Sequence, residues 1–120
     1  MNNNKINELK IDEYIWIIFI ILSTLNIMGD ESEKKYYITN DINEDKKAKE
    51  IFTFTVAVSF ILYLYFAKRN YQTVKKLRKY NCDSSLHEIR LIGSIFIVIG
   101  VLLVLYFQIN DNTANNPSTL

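Results

Sequence analysis

The stretch LIGSIFIVIGVLLVLYFQIN, residues 91–110, decides the fold. It runs for 20 residues without an Asp, Glu, Lys, Arg or His, and 13 of its first 17 side chains are Leu, Ile, Val or Phe. A bilayer core about 30 Å thick is crossed by roughly 20 helical residues. Each such side chain favours the centre of a span by about 0.3–0.6 kcal/mol, so insertion is favoured by several kcal/mol. Working outward, residues 14–29 and 51–67 are two more charge-free blocks, of 16 and 17 residues. They hold 9 and 10 of the same four side chains, and every charged residue of the chain lies outside the three blocks.

A water-soluble helix pairs an apolar stripe with a polar face. These blocks are apolar all round, so the pattern predicts an all-α membrane protein with three transmembrane helices. The remaining composition narrows the class. One Cys and one His exclude a disulfide scaffold and a structural zinc site, and a net charge of +1 excludes a uniformly basic nucleic-acid binder. Asn, Ile, Lys and Tyr make up 50 of the 120 residues, against 11 for Ala, Gly, Pro and Arg. The first set is written with AT-rich codons, which points to a low-GC bacterium. The first block is not read as a cleaved signal peptide, because Glu8, Asp12 and Glu13 crowd the region that should be positive.

Counting Lys and Arg sets the expected threading. The segment 68–90 holds seven against two acids, 30–50 holds five against seven acids, and 1–13 holds two. Residues 1–13 are therefore expected to be cytoplasmic, 14–29 the first span, and 30–50 an extracellular loop leading into a helical extension of the second span. The second span follows at 51–67, a basic cytoplasmic loop at 68–90, the third span at 91–110, and an extracellular disordered tail at 111–120. The N-terminus is inside and the C-terminus outside the cell membrane. Gly29 is a natural helix stop, which leaves residues 30–43 as loop. The helix formers from Glu44 to Glu50 extend the second span outward.

The segment Lys68 to Tyr80 places Tyr71, Val74 and Leu77 at i, i+3, i+6 among basic residues. Two readings stay open for it. It is either an amphipathic helix lying on the inner leaflet, with Lys68, Arg69, Lys75, Lys76, Arg78 and Lys79 against anionic headgroups, or a straight continuation of the second span. Asn81 to Ser85 breaks the helix, and Ser85-x-x-Glu88 fits a capping box that starts the third. Cys82 and His87 read as an inert thiol and a surface imidazole.

Catalysis or proton coupling inside a bilayer needs ionisable groups at depth. The three blocks contain none of the residue types that supply them, so no enzymatic activity and no cofactor are expected. Asn26 and Gln108 fall near span ends, where water satisfies them. The small residues support helix packing instead: Thr55 and Ser59 on the second span, and Gly93, Ile97, Gly100 and Val104 on one face of the third. The expected partners are the lipid bilayer and a membrane protein or further copies of the chain, with no nucleic acid. The expected role is that of an accessory, regulatory or immunity protein. The alternative is an oligomeric, holin-like pore former, against which stands a tail at 111–120 without positive charge.

Asn26-Ile27-Met28-Gly29-Asp30, Ile51-Phe52-Thr53-Phe54-Thr55, Tyr63-Leu64-Tyr65-Phe66-x-x-Arg69-Asn70-Tyr71, Gly93-Ser94-x-Phe96 and Leu105-Tyr106-Phe107-Gln108 together resemble a family of small uncharacterised three-span membrane proteins of Gram-positive bacteria. The likeness covers most of residues 10–109. It implies three spans and no assigned activity.

Overall fold

In a computed structural model, which describes residues 2–111, the chain forms three helices: α1 (Asn2–Thr39), α2 (Ile42–Lys79) and α3 (Ser85–Asn110). All three are long and apolar enough to cross a membrane. At about 1.5 Å per residue the 38-residue α1 and α2 are each roughly 57 Å long, nearly twice a hydrocarbon core, and the 26-residue α3 is roughly 39 Å.

Two sequence expectations are corrected here. Residues 1–13 were expected only as a flanking segment, yet α1 is helical from Asn2. Gly29 does not stop α1; the helix runs ten residues further, and the expected loop shrinks to Asn40 and Asp41. The physical reason is visible on both sides of Gly29. The residues after it, Asp30 to Lys35, include no Pro, and Glu31 and Lys34 pair at 3.1 Å one turn apart. The termination signal lies later, at Asn40, whose φ of 58° is left-handed. Its N–H donates to the Tyr36 carbonyl at 2.7 Å, the αL cap in which Asn substitutes for glycine. Asp41 then accepts from the Asn43 N–H at 3.0 Å and so caps the start of α2. α2 begins close to where the helix formers predicted, and it continues unbroken through Lys79.

The second turn is a Schellman motif. Asn81 has φ 56°, the Cys82 N–H donates to the Leu77 carbonyl at 2.9 Å, and the Asn81 N–H donates to the Arg78 carbonyl at 3.1 Å. α3 opens at Ser85, one residue earlier than a capping box on Ser85 requires, so that Ser84 takes the N-cap position. The side chain that caps it is Asp83, which accepts from the Ser85 N–H at 3.0 Å and the Ser85 hydroxyl at 2.7 Å. Those two bonds hold the Asp83 carboxyl below the usual carboxylate range. Glu88 does not return a bond to Ser85; its carboxylate takes the Arg78 guanidinium instead, at 3.0 Å to Nε.

The contacts separate into two units: α1 with α2 as far as Thr55, and Val56–Asp111. In the first, α1 and α2 form an antiparallel hairpin whose register is fixed by Gly29 against Phe52 and Asn26 against Thr55. The covered residues of α1 recur at steps of three and four: Ile15, Phe19, Leu22, Asn26, Gly29, Ser32, Tyr36. On α2, Asp45, Ala48, Phe52 and Thr55 do the same. This is the spacing of a coiled-coil seam. In the second unit α2 and α3 pair antiparallel, with Asn70 bonded to Ser94 and Arg78 to Glu88.

The seams mix small and polar residues with a few large apolar ones, and most of the large apolar side chains lie outside them. Among the described residues, the buried hydrophobic positions are Ile15, Leu22, Tyr36, Ala48 and Val74, and Ser32, Asp45, Thr55 and Asn70 are buried with them. Thirty-one large apolar side chains among the described residues are exposed. Water would oppose that arrangement, since soluble monomers rarely expose apolar patches of more than a few hundred Å². Lipid favours it, because helices in hydrocarbon associate through close backbone approach and interhelical hydrogen bonds. The architecture fits a multi-pass membrane protein.

Gly29 marks a close approach of α1 and α2 in the first unit. A Cβ placed there meets the Phe52 ring at 2.8 Å and the Ile51 side chain at 3.3 Å, whereas at Gly93 and Gly100 it meets nothing within 4 Å. Gly29→Leu should therefore cost about 1–3 kcal/mol through overpacking, while Gly93→Leu and Gly100→Leu leave the monomer unharmed. Heating detergent-extracted protein and following the folded fraction tests the contrast; equal survival of all three variants contradicts the register.

Candidate helix-packing site

The polar centre of the first unit is Thr55. Its side chain is 2% exposed, and its hydroxyl lies 2.7 Å from Asn26 Oδ1 on α1 and 3.1 Å from the Phe52 carbonyl on its own helix. One hydroxyl proton cannot serve both acceptors fully, and the shorter contact is the interhelical one. Asn26 therefore spends its carbonyl on α2, which corrects the expectation that water near a span end satisfies it. Its spacing carried the signal: Asn26 is four residues after Leu22 and three before Gly29, both on the covered stripe. Ser59, one turn beyond Thr55, is half-buried, so both expected packing residues of the second span sit at contacts.

The face expected on the third span falls elsewhere. Leu91, Ser94, Val98, Val101, Leu105 and Gln108 form the covered stripe of α3, at steps of three and four. Gly93, Ile97, Gly100 and Val104 lie one residue, or about 100°, round the helix and are exposed. They do not close packing within the chain. A seam recruits whichever stripe contains the residue with an interhelical bond, and in α3 that is Ser94. It accepts from the Asn70 amide and donates to the Arg90 carbonyl one turn back. Asn70, at the foot of the basic segment, was not singled out in the sequence because no charge-free block contains it.

The six basic residues do not form one continuous patch. Val74 is 3% exposed and Leu77 half-buried, so the apolar stripe of this segment is largely spent on packing inside the chain. That leaves only Tyr71 exposed for a surface-lying helix. Arg69 stacks over the rings of Tyr65 and Phe66, at 5.5 and 5.2 Å from their centroids, a cation–π pair at the edge of the apolar block. Arg78 is held by Glu88, while Lys68, Lys75, Lys76 and Lys79 are exposed. Cys82 is exposed in the turn, with its thiol 3.7 Å from the Tyr80 carbonyl. His87 is half-buried in the first turn of α3. Among the described residues no three His, Cys, Asp or Glu side chains gather as a metal site would require. The residues expected as an extracellular tail, 112–120, lie outside the described residues.

No family model, curated protein or solved structure matches this chain.

Removing the Thr55 hydroxyl tests the seam. Interhelical hydrogen bonds in membranes couple by about 0.6 kcal/mol on average and up to about 1.7. Thr55→Val should lose that amount, Thr55→Ser less, and a double-mutant cycle with Asn26→Ala should return a coupling in that range. A coupling of zero, measured by unfolding in detergent, means the two side chains do not meet.

Proposed function

We propose that this chain is a multi-pass protein of a bacterial cytoplasmic membrane, non-enzymatic, which acts by packing against a membrane partner as an accessory, regulatory or immunity protein. One observation carries the reading: among the described residues most of the large apolar side chains point outward, away from the seams. Lipid and a second protein are the two surroundings such an exterior suits. The Gly93, Ile97, Gly100, Val104 face of α3 supports the second, because it is open, is not needed for packing within the chain, and presents two glycines where another backbone can come close. The absence of Asp, Glu, Lys, Arg and His from the three charge-free blocks supports the non-enzymatic reading.

In this reading the basic segment 68–90 is cytoplasmic, the hairpin turn at Asn40 and Asp41 is outside, the N-terminus is inside and the C-terminus outside. Thiol labelling tests the threading. Ser32 is 4% exposed and a poor probe position, whereas Ile38 is 81% exposed beside the turn. A cysteine at position 38 in a Cys82→Ser background should react with an impermeant reagent on intact cells, and native Cys82 should react only after permeabilisation. Labelling of Cys82 in sealed cells reverses the orientation.

A photo-crosslinking residue at position 97 tests the partner face. It should give a discrete adduct that Gly100→Leu abolishes, although that variant folds normally. An adduct of twice the chain mass identifies a second copy, and one of another mass identifies a different partner. A holin-like pore former predicts instead that expression collapses the membrane potential. Depolarisation or lysis would exclude the accessory role.

A further inference from the structure

The basic end of α2 has a fixed height. Because residues 68–79 complete one unbroken helix, rise per residue sets how far each stands beyond Ala67, the last apolar residue of its block. Lys68 and Arg69 lie within about 3 Å of it, Lys75 and Lys76 about 12–14 Å beyond, and Lys79 about 18 Å beyond. A headgroup layer is only about 5–8 Å deep. Tipping the segment onto lipid would need its apolar stripe, and Val74 is buried inside the chain. The proximal pair thus belongs at headgroup depth, and the distal lysines stand in the water above it.

Their charge is not neutralised from within. Segment 68–90 has two acids, and both are committed: Asp83 to Ser85 and Glu88 to Arg78. Among the described residues Lys75, Lys76 and Lys79 have no ion-pair partner, and all three are exposed. With Gln72 and Tyr80 they occupy i, i+3, i+4, i+7 and i+8 of a single helical face and line a shallow groove along it. Tyr80 is 64% exposed, and its ring holds the Lys79 ammonium at 5.8 Å. Three ammonium groups within about one turn, flanked by an amide and a phenol, match carboxylates presented at helical spacing.

We propose that this face docks an acidic helical segment of a second protein in the aqueous layer beside the membrane. The inference rests on the membrane reading above. Anionic lipid, the competing occupant, is disfavoured by height, since the home leaflet reaches the proximal pair but not the whole distal face.

The test uses the full chain in bilayer discs of phosphatidylcholine, with a labelled peptide carrying Glu at every i and i+4 position. The parent should bind the peptide, and added salt should weaken binding. The triple variant Lys75→Gln, Lys76→Gln, Lys79→Gln should bind roughly tenfold more weakly, at a factor of about two per exposed ion pair. The charge-matched triple Lys35→Gln, Lys46→Gln, Lys47→Gln, on the opposite end of the helices it occupies, should bind like the parent. Equal loss in both triples, or loss in neither, overturns the docking face. A Tyr80→Trp variant supplies the second readout: its emission should stay unchanged when phosphatidylglycerol is mixed into the discs. A blue shift there would place the face on headgroups and overturn the proposal in favour of lipid. Failure of the chain to float with the discs takes down the membrane reading and the proposal together, and so differs from either of those results.

Discussion

The contact on which the first unit depends is the close approach of α1 and α2 at Gly29. Helices in hydrocarbon gain nothing from burying one apolar surface against another, because lipid is as apolar as leucine. They need dispersion contacts at short range and hydrogen bonds that lipid cannot offer. The missing Cβ of Gly29 lets the Phe52 ring lie against the α1 backbone, and one turn away the Thr55 hydroxyl reaches Asn26. The two features reinforce each other. A side chain at residue 29 would push the helices apart and stretch a 2.7 Å bond, while losing the bond would remove the directional contact that holds the register. Ser32, Ala48 and Tyr36 then bury along the same seam.

α1 and α2 also outrun a bilayer, and the excess has a physical logic. Beyond the charge-free blocks, α1 and α2 continue as a hairpin with Asp45 and Lys49 paired at 3.5 Å along its covered side. Asn40 and Asp41 end and restart the helices with the least possible loop. A short rigid turn costs less chain entropy than the dozen-residue loop that the sequence suggested. At the other turn the Schellman geometry and the Asp83 cap serve the same purpose, and Arg78 with Glu88 bridges the helices beside it.

The sequence made the spans legible because residue type alone marks them: three blocks without charge can be recognised before any partner is known. It misled on helix ends. Gly29 was read for its conformational freedom, when its lack of a side chain was the property in use, and only the position of Phe52 distinguishes the two. Asn26 was assigned to water and Asn70 was passed over, for a related reason. A polar side chain near a span end is satisfied by water or by a neighbour, and choosing between them requires the register of the facing helix. The two faces of α3 differ by one residue of phase. Gly93 and Gly100 made the wrong stripe look like the seam, because small residues draw attention and the decisive Ser94 does not.

That misreading is itself informative about the chain. A glycine in a helix interior forgoes helix propensity worth about 1 kcal/mol relative to alanine, and at residue 29 the seam supplies a reason. At residues 93 and 100 nothing within the chain approaches, so the same physical cost has no internal counterpart. The two lie seven residues apart on one side of a helix that has no fully buried residue. If lipid alone met that side, larger apolar side chains would serve better there, as they do at the neighbouring Ile92, Phe96, Ile99 and Leu103. A backbone arriving from another helix is a surrounding in which two glycines at that spacing are an advantage, and so the open face of α3 lends support to the partner in the proposed function, beside the apolar exterior on which that proposal rests.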